Sequence, residues 1–279
     1  MIPGARPGKI TVVTGLSGSG KSTLTARIVL GQIRQKRKVL YGAWEMDGGM
    51  TLELLAILSL GWSRTKLMKG EISEEELAVF TERMEQISPY VRFMKNPFRM
   101  GIGGGRPSNE RNLDLVAGYI ADSGADFFVA DLWERCLEHD EPNDEKRALF
   151  RQQAICEELG VHGLLVHQQL IKEVEKRPDK RPTREGNKGS GAWVEVADTM
   201  LGVHNPSKWK PVPEDSLEVC ILKQRWGKWP LAVEFDWDPE CGKITGGTSV
   251  EYDVVGGSGS SGNAIDQMMR EPRKGRSGR

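Results

Sequence analysis

The chain has 279 residues, and its 39 Lys and Arg are balanced by 39 Asp and Glu. That length accommodates one large α/β core plus a tail. A formal charge of zero excludes a molecule that holds nucleic acid by bulk positive charge, so any basic surface must be local.

In chain order, the β-type run Ile10-Thr11-Val12-Val13-Thr14 leads into Gly15-Leu16-Ser17-Gly18-Ser19-Gly20-Lys21-Ser22-Thr23, which fits G-x-x-x-x-G-K-[ST] without a mismatch. A helical pattern follows over residues 21–35, with Leu24, Ile28, Val29 and Ile33 on one face. Residues 39–44 read as the second strand, ending at Glu45-Met46-Asp47, and helices are expected at about 50–60 and from 73, where acidic residues fill the first turn. Val91-Arg92-Phe93-Met94 is a short strand. The glycines at 101, 103, 104 and 105 form a loop but no second phosphate site, since no Lys-Ser/Thr follows them. A helix over about 109–123 precedes the apolar strand Phe127-Phe128-Val129-Ala130-Asp131, and a helix over 145–159 precedes the strand 163–169. Strands alternating with helices at this spacing predict a mostly parallel sheet flanked by helices on both faces. Residues 172–188 hold seven Lys/Arg against four Asp/Glu with little apolar content. Strands at 199–204, 217–226 and 231–237 then have hairpin-like spacing and form a C-terminal extension. The expected organisation is an ATPase domain over 1–250 and a Gly/Ser-rich basic tail over 251–279, too poor in apolar side chains to order itself.

No run reaches the apolar length of a membrane span, and residues 1–9 hold no apolar signal region, so a soluble, cytoplasmic protein is expected. Cys136, Cys156, Cys220 and Cys241 contain no C-x-x-C pair, which favours buried thiols over a zinc module or a disulfide framework. The four histidines also lack ligand spacing, and no metal beyond Mg²⁺ is expected.

The glycine loop carries the chemistry. Gly15, Ser17, Gly18, Ser19 and Gly20 let backbone N–H groups curl around phosphate oxygens. Lys21 reaches the β- and γ-phosphates, Ser22 offers its hydroxyl to Mg²⁺, and Thr23 continues the helix whose N-terminus favours anions. The chain is therefore expected to bind a nucleoside triphosphate. Asp131, at the end of its strand, is the candidate Mg²⁺ ligand, with Asp126 and Glu134 as competitors. Glu45 follows the second strand and can orient and deprotonate an attacking water; Asp47 is its rival. Gln168 and Gln169 are both candidates to sense the γ-phosphate. Lys223 and Arg225 lie far from the loop, as an exposed strand end or as cations that reach a neighbouring subunit's nucleotide.

In order along the chain, Pro7-Gly8-Lys9-Ile10, the phosphate loop, Trp44-Glu45-Met46, Asp131, Gln169-Leu170, Lys180-Arg181-Pro182, Lys188-Gly189-Ser190-Gly191, Ala197-Asp198 and Lys223-Gln224-Arg225 resemble the RecA-like ATPase domain of DnaB-family replicative hexameric helicases. The resemblance covers about residues 7–245. It implies ATP and Mg²⁺, with Glu45 as catalytic base, Asp131 as Mg²⁺ ligand, Gln169 as γ-phosphate sensor, and Lys223 and Arg225 acting across a subunit interface. It also implies a ring, a hexamer in the family, translocating on single-stranded DNA, with primase or loader partners. Two loops, about 138–145 and 172–191, would line the channel, with Lys188, Gly189 and Gly191 on the DNA backbone. The family's N-terminal collar has no counterpart before residue 15, and Leu132-Trp133 replace the usual acid-aromatic pair. A RecA- or KaiC-like regulatory ATPase that binds DNA without unwinding it is the main competing expectation, and a small-molecule kinase a weaker one.

Overall fold

The computed structural model describes residues 4–97, 108–137, 144–184, 186, 191–209, 215–227, 229–250 and 252. Its centre is a nine-stranded sheet of order β3-β2-β4-β5-β1-β6-β7-β8-β9. The strands are β1 (Ile10–Gly15), β2 (Val39–Ala43), β3 (Val91–Met94), β4 (Phe127–Asp131), β5 (His162–Gln168), β6 (Thr199–His204), β7 (Ser216–Gln224), β8 (Leu231–Asp238) and β9 (Lys243–Val250). The first six are mutually parallel, and β7, β8 and β9 continue the sheet antiparallel.

Each parallel strand is short, apolar and covered on both faces, as a sheet with crossover helices demands. Period-two alternation sends Leu40 and Phe128 to one face and Tyr41 and Phe127 to the other. Helices α1 (Lys21–Arg34), α2 (Gly48–Leu60) and α4 (Glu74–Ile87) cover the Tyr41 face, while α5 (Asn109–Ser123), α6 (Asp144–Leu159) and α8 (Ala192–Val196) cover the Leu40 face. Two short helices, α3 (Arg64–Met68) and α7 (Ile171–Glu175), complete the helical set among the described residues. Local chemistry sets the helix ends. Asp47 caps α2 by accepting from Met50 N at 2.8 Å, and Ser73 with Glu76 forms a capping box on α4.

The expected strands, and the helices at 21–35, 50–60, 109–123 and 145–159, are present within a few residues. The hairpin-spaced strands form the antiparallel extension. Strand β9 was not legible: it is an exposed edge strand with Gly246 and Gly247 at positive φ, and neither composition nor alternation marks it. Helix α7 lies inside the charged stretch at 172–188, where Val174 is buried. The four cysteines are buried and free. No helix among the described residues is long and apolar enough to cross a membrane. Nearly all of the expected tail, and the glycine loop at 98–107, lie outside the described residues. Tyr252 is described and donates from its hydroxyl to Pro182 O at 2.6 Å.

Candidate nucleotide site

The strand order puts the phosphate loop between its two parallel neighbours, with Gly15 in register with Gln168 of β5 and Val203 of β6. A Cβ on Gly15 would stand 2.6 Å from Val203 O and 2.7 Å from Ser19 Oγ, so only glycine fits there. Gly20 turns the chain into α1 at φ 96°, and no side chain caps that helix. Its first N–H groups are left for an anion.

Lys21 is buried, and its ammonium donates to Gly15 O at 3.1 Å and Leu16 O at 2.9 Å. Burial pulls its pKa below the usual lysine value, against the raising charges of Glu45, Asp131 and Glu134. An open cavity of ≈ 260 Å³ beside the loop is lined by Gly18, Lys21, Ser22, Glu45, Gln168 and Trp237, among others. Ser22 faces this cavity, as does Thr23.

Asp131 closes β4 opposite Ala43 and is buried. Tyr41 donates from its hydroxyl to Asp131 Oδ2 at 3.1 Å, while Oδ1 is buried without a hydrogen-bond partner. Burial, with the charges of Glu45 and Glu134, raises the Asp131 carboxyl to about 6, although the Tyr41 bond and Lys21 work in the other direction. An orphaned oxygen on a carboxylate that has two acidic neighbours suits a hard divalent cation, and Ser22 supplies the companion hydroxyl. The residues present therefore fit Mg²⁺.

The rivals separate cleanly in space. Asp47 is occupied as the cap of α2, whereas the Glu45 side chain is exposed on the cavity with Arg135 as a weak partner at 3.7 Å. Both Trp44 N and Glu45 N donate to Asp131 O at 2.9 Å, which ties the Glu45 backbone to the candidate metal ligand. Asp126 lies at the other end of β4 and accepts from Lys38 N at 2.9 Å. Glu134 is mostly buried against His167 Nδ1 at 3.1 Å, and the His167 ring stacks on Trp193 at 4.0 Å. Burial works to raise the Glu134 carboxyl, but His167 and backbone N–H groups outweigh it and hold it below the usual range.

Of the two glutamines, Gln168 lines the phosphate-loop cavity. Gln169 donates from Nε2 to Thr183 O at 2.6 Å and lines the adjoining groove with Leu16. The amide expected to sense the γ-phosphate thus sits between the loop and the charged stretch, with Gln168 facing the cavity.

Lys223 and Arg225 are not brought to this cavity. Lys223 donates to Val194 O at 2.5 Å, and Arg225 to Glu195 O at 3.3 Å. Arg225 also pairs with Asp198 at 3.4 Å, and Asp198 in turn accepts from Ile10 N at 3.0 Å. Both cations therefore stand level with the start of β1, about 16 Å along the strand from its end at the loop.

Much of the basic excess in 172–188 is spent internally: Arg177 binds Asp179 at 2.7 Å, Lys176 binds Glu173 at 2.6 Å, and Arg181 grips Glu218 at 2.6 and 3.1 Å. Lys188 and Gly189 lie outside the described residues. Gly191 precedes α8 at φ −60°, and a Cβ there would meet open space, so neither backbone nor packing demands a glycine. Lys208, Tyr41 and Trp237 border the site without any sequence signal, because each comes from a strand or turn whose position depends on sheet order.

No family model matches the chain. It is 23% identical over 246 residues to a probable plasmid replicative DNA helicase of Chlamydia muridarum (strain MoPn / Nigg), a match that covers 85% of this chain. The chain spans about half (51%) of that relative's length. Among solved structures, the isolated ATPase domain of a DnaB-like helicase superposes with a TM-score of 0.72 at 16% identity, over 86% of this chain and 84% of that one. A DnaB-like replicative helicase, described together with its interactions with primase, also gives 0.72, at 17% identity over 86% of this chain and 58% of that one. The chain has the RecA-like fold of the ATPase domain of DnaB-like replicative helicases.

Proposed function

We propose that this chain is an ATP-dependent DNA helicase of DnaB type, hydrolysing ATP at the subunit interfaces of a ring, a hexamer by family analogy, as it translocates on single-stranded DNA in replication. The observation that carries this is the split of charge across the sheet. The phosphate loop, Asp131 and Glu45 share one edge, while Lys223 and Arg225 stand at the opposite edge, where they serve a nucleotide only if a second copy brings one.

Lys21 and the N–H groups of Gly18, Ser19 and Gly20 hold the phosphates. Ser22 and Asp131 hold Mg²⁺, which when bound neutralises charge on the phosphate oxygens. Glu45 orients a water and accepts its proton as the water oxygen bonds to the terminal phosphorus and ADP departs. Gln169 links phosphate occupancy to the charged stretch through Thr183. Lys223 and Arg225 of one copy stabilise the charge that develops at the next. Lys188, Gly189 and Gly191 approach the DNA backbone, where charge and bare N–H groups give sequence-independent grip. The DnaB-like structural neighbour studied with primase supports a primase partner.

The test is subunit mixing followed by a forked-duplex assay. Lys21→Ala subunits are expected to depress the ATP turnover of wild-type subunits more steeply than dilution alone, and wild type to displace the forked strand. Strictly linear dilution would reject shared sites. DNA-stimulated hydrolysis without displacement would favour the regulatory ATPase.

A further inference from the structure

A second lysine sits on the phosphate loop, and it comes from a part of the chain nearly two hundred residues away. Lys208 ends a 3₁₀ turn, Pro206–Lys208, that follows β6, the strand paired in parallel with β1. The turn is built to hold its place. Buried Asn205 accepts from Ser207 N at 3.0 Å and Ser207 Oγ at 2.6 Å, and Trp209 N closes on Pro206 O at 2.9 Å. From this base the Lys208 ammonium donates to Ser17 O. It also covers the open face of Gly18, where a Cβ would stand 3.1 Å from Nζ.

Lys21 and Lys208 therefore share one arrangement: each ammonium is satisfied by carbonyls of the loop itself. Those carbonyls offer only partial negative charge, and two like charges held on one loop repel. Lys208 is among the groups that depress Lys21, behind burial. A polyanion entering the loop relieves both. Lys208 stands at the lip formed by Leu16 and Ser17, in the groove that also holds Glu134, Gln168 and Gln169. This lip is the outer end of the loop, away from the α1 N-terminus that receives the inner phosphates. We propose that Lys208 is a phosphate-contacting residue acting within its own subunit, which leaves Ser17 O to bind the outermost phosphate and makes the site prefer a triphosphate over a diphosphate.

The same turn reports on occupancy. Lys180, in the charged stretch, lies 5.8 Å above the Trp209 ring, so a shift of Lys208 moves the neighbour of a segment implicated in DNA contact.

The inference rests on the cavity being the nucleotide site, and the experiment keeps the two apart. Affinities for a nonhydrolysable ATP analogue and for ADP, both with Mg²⁺, are measured by calorimetry on wild type, Lys208→Ala and Lys208→Arg. Loss of one charge-assisted contact should weaken the alanine variant for the triphosphate about tenfold or more, with ADP nearly unchanged, and the arginine variant should recover most of the loss. Unchanged triphosphate affinity, or equal loss for both nucleotides, would overturn the role of Lys208 while leaving the site intact. Wild type that binds neither nucleotide would sink both.

Discussion

The two edges of the central sheet are built differently. At the edge formed by the C-terminal ends of the parallel strands, charged groups are packed against one another. Lys21 is held by two carbonyls, Asp131 is buried beneath Tyr41, and Glu134 is locked to His167. At the opposite edge, Lys223 and Arg225 rest on the last carbonyls of a five-residue helix, and their side chains are partly exposed. A strained, buried cluster is poised for a ligand, whereas a loosely tethered cation can let go of a carbonyl and reach elsewhere. The contrast teaches that each copy holds most of one site and a small part of another.

The sharpest way to break that contrast is to damage the edges in separate molecules. Arg225→Ala should lower ATP turnover by about a thousandfold if its guanidinium completes a neighbour's site. Activity should return when those subunits are mixed with Glu45→Gln subunits, because some interfaces then pair an intact Glu45 with an intact Arg225. No recovery in steady-state turnover of the mixture would place the cation's role inside its own subunit. Glu45→Gln alone should cut turnover about a hundredfold and leave nucleotide affinity intact. Asp47→Ala, by contrast, should cost about 1 kcal/mol of stability through the lost cap of α2 and spare turnover. If the two variants exchange these outcomes, the base has been misassigned.

A third perturbation tests whether the loop edge is held under electrostatic strain. Asp131→Asn removes a buried charge with one unpartnered oxygen and two acidic neighbours, so the nucleotide-free protein should gain about 1–3 kcal/mol in denaturant unfolding. The same variant should lose the stabilisation that Mg²⁺ adds in the presence of nucleotide. Destabilisation of the free protein would mean that Asp131 is a structural acceptor for Tyr41. The smallest expected effect is at the DNA contact: Lys188→Ala should weaken single-strand binding modestly and lower the salt slope by about one. An unchanged slope would remove Lys188 from the contact.

What the sequence by itself determined is local. The glycine spacing, the apolar runs that end in Glu45, Asp131 and Gln168–Gln169, and the caps at Asp47 and Ser73 all depend on neighbours within a few residues. Short-range sterics and hydrogen bonding therefore suffice to read them. Even the choice of Asp131 over Asp126 was accessible, because the two ends of one strand face opposite edges. Sheet order decided the rest. Only the insertion of β1 between β5 and β6 sets Gly15 against Val203 and carries Lys208 onto Ser17. Only strand pairing aims the Tyr41 hydroxyl at Asp131 and turns Gln169 toward Thr183 while Gln168 faces the cavity. Such contacts join residues ninety or more positions apart in several cases, and no periodicity records which distant strand becomes a neighbour. Burial then sets the charge states: an aspartate raised to about 6 and a lysine pulled down are products of removing water, and water is removed only once the layers have closed.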